Sequence, residues 1–239
     1  MKRIHFILTG LTLTIILLSA NRLTNATQGF LQPFEFLRWL DFNAMLPIPL
    51  ASIILYWLLK REIVYAAKDH LFINTAYYTL LTVLLVSGIY FFGAGSGDHE
   101  VTNYLNFRFC DAGALKNSLC DIITYNDDKF SHIIYYIGFI LMNVALMLIE
   151  YKLPRKIKIS GKDLILITGN SLFIAAGIFA NLAFEEAALD LVFFGSVMLL
   201  SLYLLFSKKG GSRTLPVTYY FASSYTIGVV GTLLYKLTS

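Results

Sequence analysis

The feature that most constrains this chain is a succession of seven apolar runs, each about 20 residues long. A helix of that length crosses the roughly 30 Å hydrocarbon core of a bilayer. Only 14% of the residues are charged, against roughly a quarter in soluble domains. We therefore predict an all-α, polytopic membrane helical bundle forming one domain over residues 1–239. The predicted spans are 4–20, 44–60, 71–94, 131–151, 163–183, 188–207 and 215–237.

The first two spans each allow an alternative. The first has Lys2 and Arg3 before its apolar run, as a secretory signal does. We expect it to be retained, because cleavage after residue 20 needs a small side chain where Leu18 stands, although Thr24 and Ala26 would suit a cut further on. Its removal would leave six spans. In the second span, Pro47 and Pro49 are expected to kink the helix or delay its start.

Lysine and arginine residues gather in every second gap between the apolar runs. Short cytoplasmic loops retain such residues, so we predict a cytoplasmic amino terminus and an outer carboxyl terminus. Insertion into the membrane explains these cations, and we predict no binding to nucleic acid. The cytoplasmic set holds 13 of the 19 basic residues: Lys2, Arg3, Lys60, Arg61, Lys68, Lys152, Arg155, Lys156, Lys158, Lys162, Lys208, Lys209 and Arg213.

Acidic residues gather on the opposite, predicted outer side. That side comprises an interfacial segment at 21–43, a cap loop at 95–130, a turn at 184–187 and the carboxyl-terminal tail. Orientation depends little on acidic residues and does not account for this bias. The outer set holds 11 of the 15 carboxylates: Glu35, Asp41, Asp98, Glu100, Asp111, Asp121, Asp127, Asp128, Glu185, Glu186 and Asp190.

Two outer segments are expected to be ordered. The aromatic-rich segment at 21–43 predicts a helix lying on the outer leaflet, as a headgroup anchor or as the floor of a lipid entrance. In the cap loop at 95–130, Cys110 and Cys120 are predicted to form a disulfide in an oxidising exterior. Metal binding by the two thiols is the weaker alternative.

Polar pairs at helical spacing mark the outer ends of spans three, four and five. Residues four apart share one helix face, so each pair presents two polar groups in one direction. We therefore expect the functional site at these three ends. The pairs are His99 with Asn103, Asp128 with His132, and Asn181 with Glu185; Asp98, Glu100, Asp127, Glu186 and Asp190 lie beside them.

Two imidazoles among carboxylates suggest a metal centre with His99, His132 and Asp128 as ligands. Glu185 and Glu186 are alternatives to Asp128. Zinc accepts such mixed ligands, and a position left to water would support hydrolysis. Asp128, Glu185 or Glu186 would then act as the catalytic general base. Iron or manganese would suit a site richer in carboxylates.

The alternative is a purely structural network. Asp128 would orient His132, Arg108 or Lys129 would neutralise nearby acids, and water would complete the hydrogen bonding. Such a network would need no substrate.

Three glycines precede His99 at the expected end of span three. Glycine lets a chain turn through left-handed conformations and permits close backbone approach. We expect Gly93, Gly95 and Gly97 to end the helix here, and either property helps to place His99.

Known families narrow the choice. A retinal protein needs a lysine deep in its last span, whereas Lys236 stands near the end. The seven-span hydrolases and receptors that include alkaline ceramidases take zinc ligands from histidines in early and late spans, but no histidine follows His132. The stretch Asp128-Lys129-x-x-His132 with Tyr136 locally resembles the D-K-x-x-H start of a span in VanZ-like membrane proteins.

The sequence thus predicts a multi-pass membrane protein with an outward-facing polar pocket, as in a metal-assisted hydrolase acting on a lipid or amphiphile. A non-catalytic subunit or assembly factor that docks a membrane-protein partner is the alternative. A transporter or ion-binding protein ranks third, because spans six and seven offer little polar path inward. The lipid bilayer is the partner that all three share.

Overall fold

The computed structural model describes residues 1–67, 70–110, 118–184 and 188–238, which are predominantly α-helical. Within these ranges, β-structure is limited to one isolated bridge between Phe30 and Arg38. The predicted all-α fold class is confirmed. The α-helices are α1 (Lys2–Leu23), α2 (Trp39–Met45), α3 (Pro47–Ala67), α4 (His70–Ile73), α5 (Ala76–Phe109), α6 (Ser118–Tyr125), α7 (Ser131–Lys152), α8 (Gly161–Phe184), α9 (Ala188–Ser207), α10 (Gly211–Thr214) and α11 (Pro216–Thr238).

In the described part of the chain, six helical stretches are long and apolar enough to cross a membrane, as an integral membrane protein requires. They are Lys2–Leu23, Trp39–Ala67, Ala76–Phe109, Ser118–Lys152, Gly161–Ala180 and Asp190–Ser207. Helix α11 forms at the predicted seventh position but is not among the six. The seven-span count and the orientation of the termini stay predictions.

The second span is interrupted just before its first proline, and a new helix starts there. Helix α3 begins at Pro47, with Pro49 in its first turn. The first backbone N–H groups of a helix have no partner inside it, so proline costs little there. The break between α2 and α3 falls at Leu46, the residue directly before Pro47, where the proline ring disfavours helical backbone.

The chain divides into two compact units. The first comprises Met1–Ile15, Leu55–Leu84 and Asn143–Ser239, and the second comprises Ile16–Ile54 and Leu85–Met142.

The first unit contains a fully buried polar bridge centred on Asn143 of α7. The Tyr56 hydroxyl donates to the Asn143 side-chain oxygen at 2.6 Å, and the Asn143 amide donates to the Tyr225 hydroxyl at 2.7 Å. Interhelical bonds of this kind join helices whose apolar surfaces provide little specificity in lipid. Asn143 therefore connects α7 to α3 and α11.

Glu150 of α7 caps the start of α11 in the same unit. Its carboxylate accepts hydrogen bonds from the backbone N–H groups of Val217 and Thr218, at 3.0 and 2.6 Å, and from the Thr218 hydroxyl at 2.9 Å. These N–H groups belong to the first turn of α11, where they lack helical acceptors and where the helix dipole favours an anion. A carboxylate only 1% exposed is thus fully paired.

Glycines bring α5 and α7 into backbone contact in the second unit. A Cβ atom at Gly95 would lie 2.5 Å from the backbone nitrogen of Tyr135, and one at Gly138 would lie 2.2 Å from that of Phe92. Gly88 is similarly close to Met142. Only glycine fits at such separations, as in other close helix pairs of membrane proteins.

The expected helix end at Gly93, Gly95 and Gly97 is wrong. Helix α5 continues to Phe109 because its backbone ladder is uninterrupted there. Of the two roles proposed for these glycines, Gly95 serves the close backbone approach, whereas a Cβ at Gly93 or Gly97 would meet nothing within 4 Å. The predicted cap loop at 95–130 is accordingly helical over most of its described length.

The predicted interfacial helix at 21–43 is present only from Trp39. Before it, the chain folds back on itself, with the N–H of Leu31 donating to Leu37 and that of Trp39 to Gly29. Pro33 lacks an N–H, and Phe34 and Glu35 adopt the left-handed φ values 68° and 52°. A continuous helix is therefore impossible across this segment.

Cys110 and Cys120 lie at disulfide distance, as predicted. The bond joins the residue after α5 to α6, closing the segment between them into a ring. The end of α5 is thereby tied to the chain that leads into α7.

Candidate functional site

His99, Asp127 and His132 meet in the second unit. His99 lies on α5 one turn after Gly95, Asp127 lies in a π-helical turn at Asn126–Phe130, and His132 opens α7. The two imidazole rings are 4.6 Å apart between centroids and inclined by 60°. The Nδ1 atom of His99 lies 3.0 Å from Oδ1 of Asp127. The glycine contact between α5 and α7 sets this separation, because Gly95 packs against the first turn of α7.

The contact with Asp127 defines the protonation of the His99 ring. Nδ1 lies 3.3 Å from the backbone carbonyl oxygen of Asp127 in hydrogen-bonding geometry. A carbonyl oxygen only accepts, so Nδ1 carries the hydrogen and donates it. In the neutral ring, Nε2 then holds a lone pair that can take a proton or bind a metal. The Asp127 carboxylate, at ion-pair distance, would stabilise the charged ring.

Glu100 and Asp98 add negative charge that is only partly compensated. Glu100 is 3% exposed, and Arg22 of α1 donates to its Oε1. Within the described residues, Oε2 of Glu100 and Oδ2 of Asp98 are buried and accept no hydrogen bond. Oδ1 of Asp127 also accepts none, its ion-pair contact with His99 aside. Buried oxygens without donors cost free energy, so these atoms are where a water, ion or substrate group would be stabilised.

Arg38 builds a separate, fully paired cluster beside this one. Its guanidinium binds both oxygens of Asp41 at 2.8 Å, donates to the Asn103 side chain at 3.0 Å and lies 4.1 Å over the Phe107 ring. Planar guanidinium groups suit such a combination of bidentate and stacking contacts. Asn103 therefore docks the start of α2 onto α5 and does not join the histidines.

A second clamp holds the loop before α2 against the end of α5. The Tyr104 hydroxyl and the Arg108 guanidinium both donate to the backbone carbonyl of Glu35, and Arg108 also lies 3.6 Å from the Glu35 carboxylate. Beyond the clamp, Phe34 is 87% exposed. The loop thus presents an aromatic side chain on an anchored backbone.

The predicted site residues have different outcomes. His99 and His132 come together, Asp127 contacts His99, and Asp128 is exposed. Asp190 is buried in the first unit. Glu185, Glu186 and the Asn181 side chain lie outside the described residues.

Arg108, one of the two cations predicted to neutralise nearby acids, pairs with an acid outside the histidine cluster, and a further cation pairs within the cluster. Arg108 pairs with Glu35, while Arg22 pairs with Glu100. Arg22 was missed as a partner, although it is one of the few cations on the predicted outer side. Its position as a cation among the outer carboxylates was the sequence feature that could have indicated an ion pair.

The predicted metal centre lacks a ligand set in the described ranges. No group of three or more His, Cys, Asp or Glu side chains there has the arrangement to hold a metal ion. His99 and His132 supply two imidazoles, and a zinc site takes at least three protein ligands. Metal binding therefore stays a prediction.

The fold and site define a class: an all-α chain with membrane-length helices and a partly buried cluster of histidines and carboxylates. Comparison with known proteins adds no relative, since no family model, curated protein or solved structure matches the chain.

Proposed function

We propose that this chain is a membrane-embedded hydrolase acting on a lipid or amphiphile, with His99 and His132 as its acid–base pair. The observation that carries the proposal is the Asp127 contact with Nδ1 of His99, which leaves Nε2 able to accept a proton. General bases are commonly histidines oriented by a carboxylate in this way.

The chemistry would need only groups present in the chain. Nε2 of His99 would take a proton from a water molecule as its oxygen attacks an ester carbon or phosphorus. Asp127 would stabilise the resulting imidazolium, and His132 would give a proton to the departing alkoxide. The short distance between the two rings suits groups that act on one substrate bond.

The proposal also includes a divalent metal such as zinc, for which the described residues provide two of the ligands that a site needs. His99 and His132 could supply two nitrogen ligands, but none of the residues that the structure describes forms a group of three ligands with them. No step is therefore assigned to a metal. Asp128, Glu185 and Glu186 stay candidates for a carboxylate role.

A substrate with an apolar part is favoured by the surroundings of the site. His99 and His132 lie on helical stretches apolar enough to cross a membrane. Aromatic side chains of the same unit, including Phe34, Phe36 and Trp39, are exposed. Such residues bind readily at the boundary between headgroups and acyl chains.

The test is hydrolysis by the purified chain in neutral detergent, using a fluorogenic acyl ester and a fluorogenic phospholipid. His99→Ala and His132→Ala should each lower the rate by about 10²- to 10⁴-fold. Asp127→Asn should lower it less, because the backbone carbonyl still orients His99. His5→Ala is the matched control, since His5 also contacts a carboxylate, Asp163, but lies in the other unit.

Metal content measured on the same samples separates the two versions of the chemistry. Stoichiometric metal that is lost in both site variants would support metal assistance. Equal hydrolysis by wild type and His99→Ala, or no hydrolysis of either probe by wild type, would overturn the proposal.

A further inference from the structure

A cavity of about 1430 Å³ opens in the first unit, between the start of α1 and the second half of α3. It is larger than the few hundred to about 1,000 Å³ of ordinary small-molecule sites. All its lining residues belong to this unit and are separate from the histidine cluster. The cavity can therefore hold a ligand that the proposed hydrolase chemistry does not require.

The charge of the lining selects the ligand. Four cations, Lys2, Arg3, Lys60 and Arg61, face the cavity with one carboxylate, Glu62. Four positive charges and one negative leave an excess of three positive charges. Arg3 lies 4.0 Å from Glu62, so that acid is already engaged. The remaining cations favour an anion.

Lys60 distinguishes this cavity from an ordinary cationic loop. Positive residues that orient a membrane protein act from exposed positions beside its spans. Lys60 is only 6% exposed, and its ammonium lies 4.9 Å from the Trp57 ring centre and 5.0 Å from that of Tyr78. Among the described residues, no carboxylate forms an ion pair with it. Aromatic faces compensate a buried ammonium only in part.

The apolar part of the lining indicates an amphiphilic ligand. Phe6 and Ile7 of α1 border the cavity, and Phe6 is otherwise exposed. The cations lie near the ends of helical stretches apolar enough to cross a membrane. Basic cavities at such positions hold phosphate headgroups while acyl chains follow the helices.

We propose that the cavity binds the phosphate headgroup of an anionic phospholipid, with Lys60 donating to the phosphate from between Trp57 and Tyr78. Lys2, Arg3 and Arg61 add attraction at the opening. The site belongs to the side of the chain predicted to be cytoplasmic.

Binding is tested with the full chain in neutral detergent, by titrating fluorescent phosphatidylglycerol and, separately, fluorescent phosphatidylcholine. Wild type should bind phosphatidylglycerol at least about 10-fold more tightly, because the cationic cavity attracts its net negative charge and repels the choline cation of phosphatidylcholine. Lys60→Met, which keeps most of the side-chain length, should lower the affinity for phosphatidylglycerol about 10-fold, since one charge-assisted hydrogen bond to phosphate accounts for a factor of that size. Lys60→Arg should retain the wild-type affinity. Lys162→Met is the control, because Lys162 is exposed on the same predicted side and does not line the cavity.

Two further arms decide the source of the phosphate and the role of the site. Displacement of phosphatidylglycerol by inorganic phosphate only at far higher concentration supports a lipid ligand, whereas equal affinity for both would overturn it. His99→Ala should bind phosphatidylglycerol as wild type does, so failure of the hydrolase proposal leaves this result intact. Equal losses in Lys60→Met and Lys162→Met, or none in Lys60→Met, would contradict the proposed site.

Discussion

Glu150 and Glu100 are both buried carboxylates, but they differ in how many of their oxygens have hydrogen-bond partners. Glu150, in the first unit, accepts three hydrogen bonds and has both oxygens paired. Glu100, in the second unit, has one oxygen paired with Arg22 and one that accepts no hydrogen bond from any described residue. The first arrangement is complete without a ligand, and the second is not. Completeness of pairing thus separates a structural acid from a candidate functional one.

The largest effect should come from Glu150→Ala. Three buried donors would lose their acceptor, which should lower the free energy of unfolding by about 3–5 kcal/mol. Denaturation of the purified chain in detergent, followed by circular dichroism, measures this loss. Glu150→Gln should lower the free energy of unfolding by less than Glu150→Ala does, because the remaining amide oxygen still accepts a hydrogen bond. A loss below about 1 kcal/mol for Glu150→Ala would show that Glu150 is not a structural acid.

Gly95→Ala tests whether the backbone contact between α5 and α7 positions the cluster of His99, Asp127 and His132. The added methyl would collide with the Tyr135 backbone, so we expect a loss of about 1–3 kcal/mol and displacement of His99 from Asp127 and His132. Gly97→Ala is the matched control, since its methyl would enter open space and alanine favours helix. Denaturation midpoints of the two variants, together with hydrolysis rates, measure the difference. Similar behaviour of the pair would show that backbone contact does not position the site.

Asn143→Leu should cost about 0.6–2 kcal/mol, the usual range for polar contacts between membrane helices. It removes the bridge to Tyr56 and Tyr225 while keeping the branched shape and the number of heavy atoms of the side chain. Hydrolysis should stay unchanged once the variant is folded. A selective loss of hydrolysis with normal stability would move Asn143 from the structural to the functional group.

Glu100→Gln should have the smallest effect on stability, below about 1 kcal/mol. Its partner Arg22 is 36% exposed and can be solvated when the charge is removed. The same unfolding experiment measures it, with hydrolysis as a second readout. A loss as large as that of Glu150→Gln would show that both acids are structural.

The sequence predicted those features that depend on residues close together in the chain. Apolar length predicted the helices, and an oxidising exterior predicted the pairing of Cys110 with Cys120. Helical spacing brought attention to His99 and His132, which do meet. These inferences need only neighbouring residues or the thickness of a bilayer.

The sequence could not supply geometry that depends on packing between helices. Whether Asp127 or Asp128 faces His99 depends on a π-helical turn, which adds a residue to the helical turn and rotates the helix beyond it. Whether Gly95 ends a helix or admits a neighbouring backbone depends on α7. The pairing of Arg22 with Glu100 joins residues of α1 and α5 that no spacing relates.

The length of α5 has a consequence for how a substrate reaches the site. Its 34 residues extend about 51 Å, whereas the hydrocarbon core is about 30 Å thick. With Ala76 at one surface of that core, the helix would emerge at about Gly95, and its remaining 14 residues, about two fifths of its length, would stand among the headgroups and in water. His99 would then lie one turn above the acyl chains. A lipid could present a bond near its headgroup to that imidazole without leaving its leaflet, while water arrives from the aqueous side.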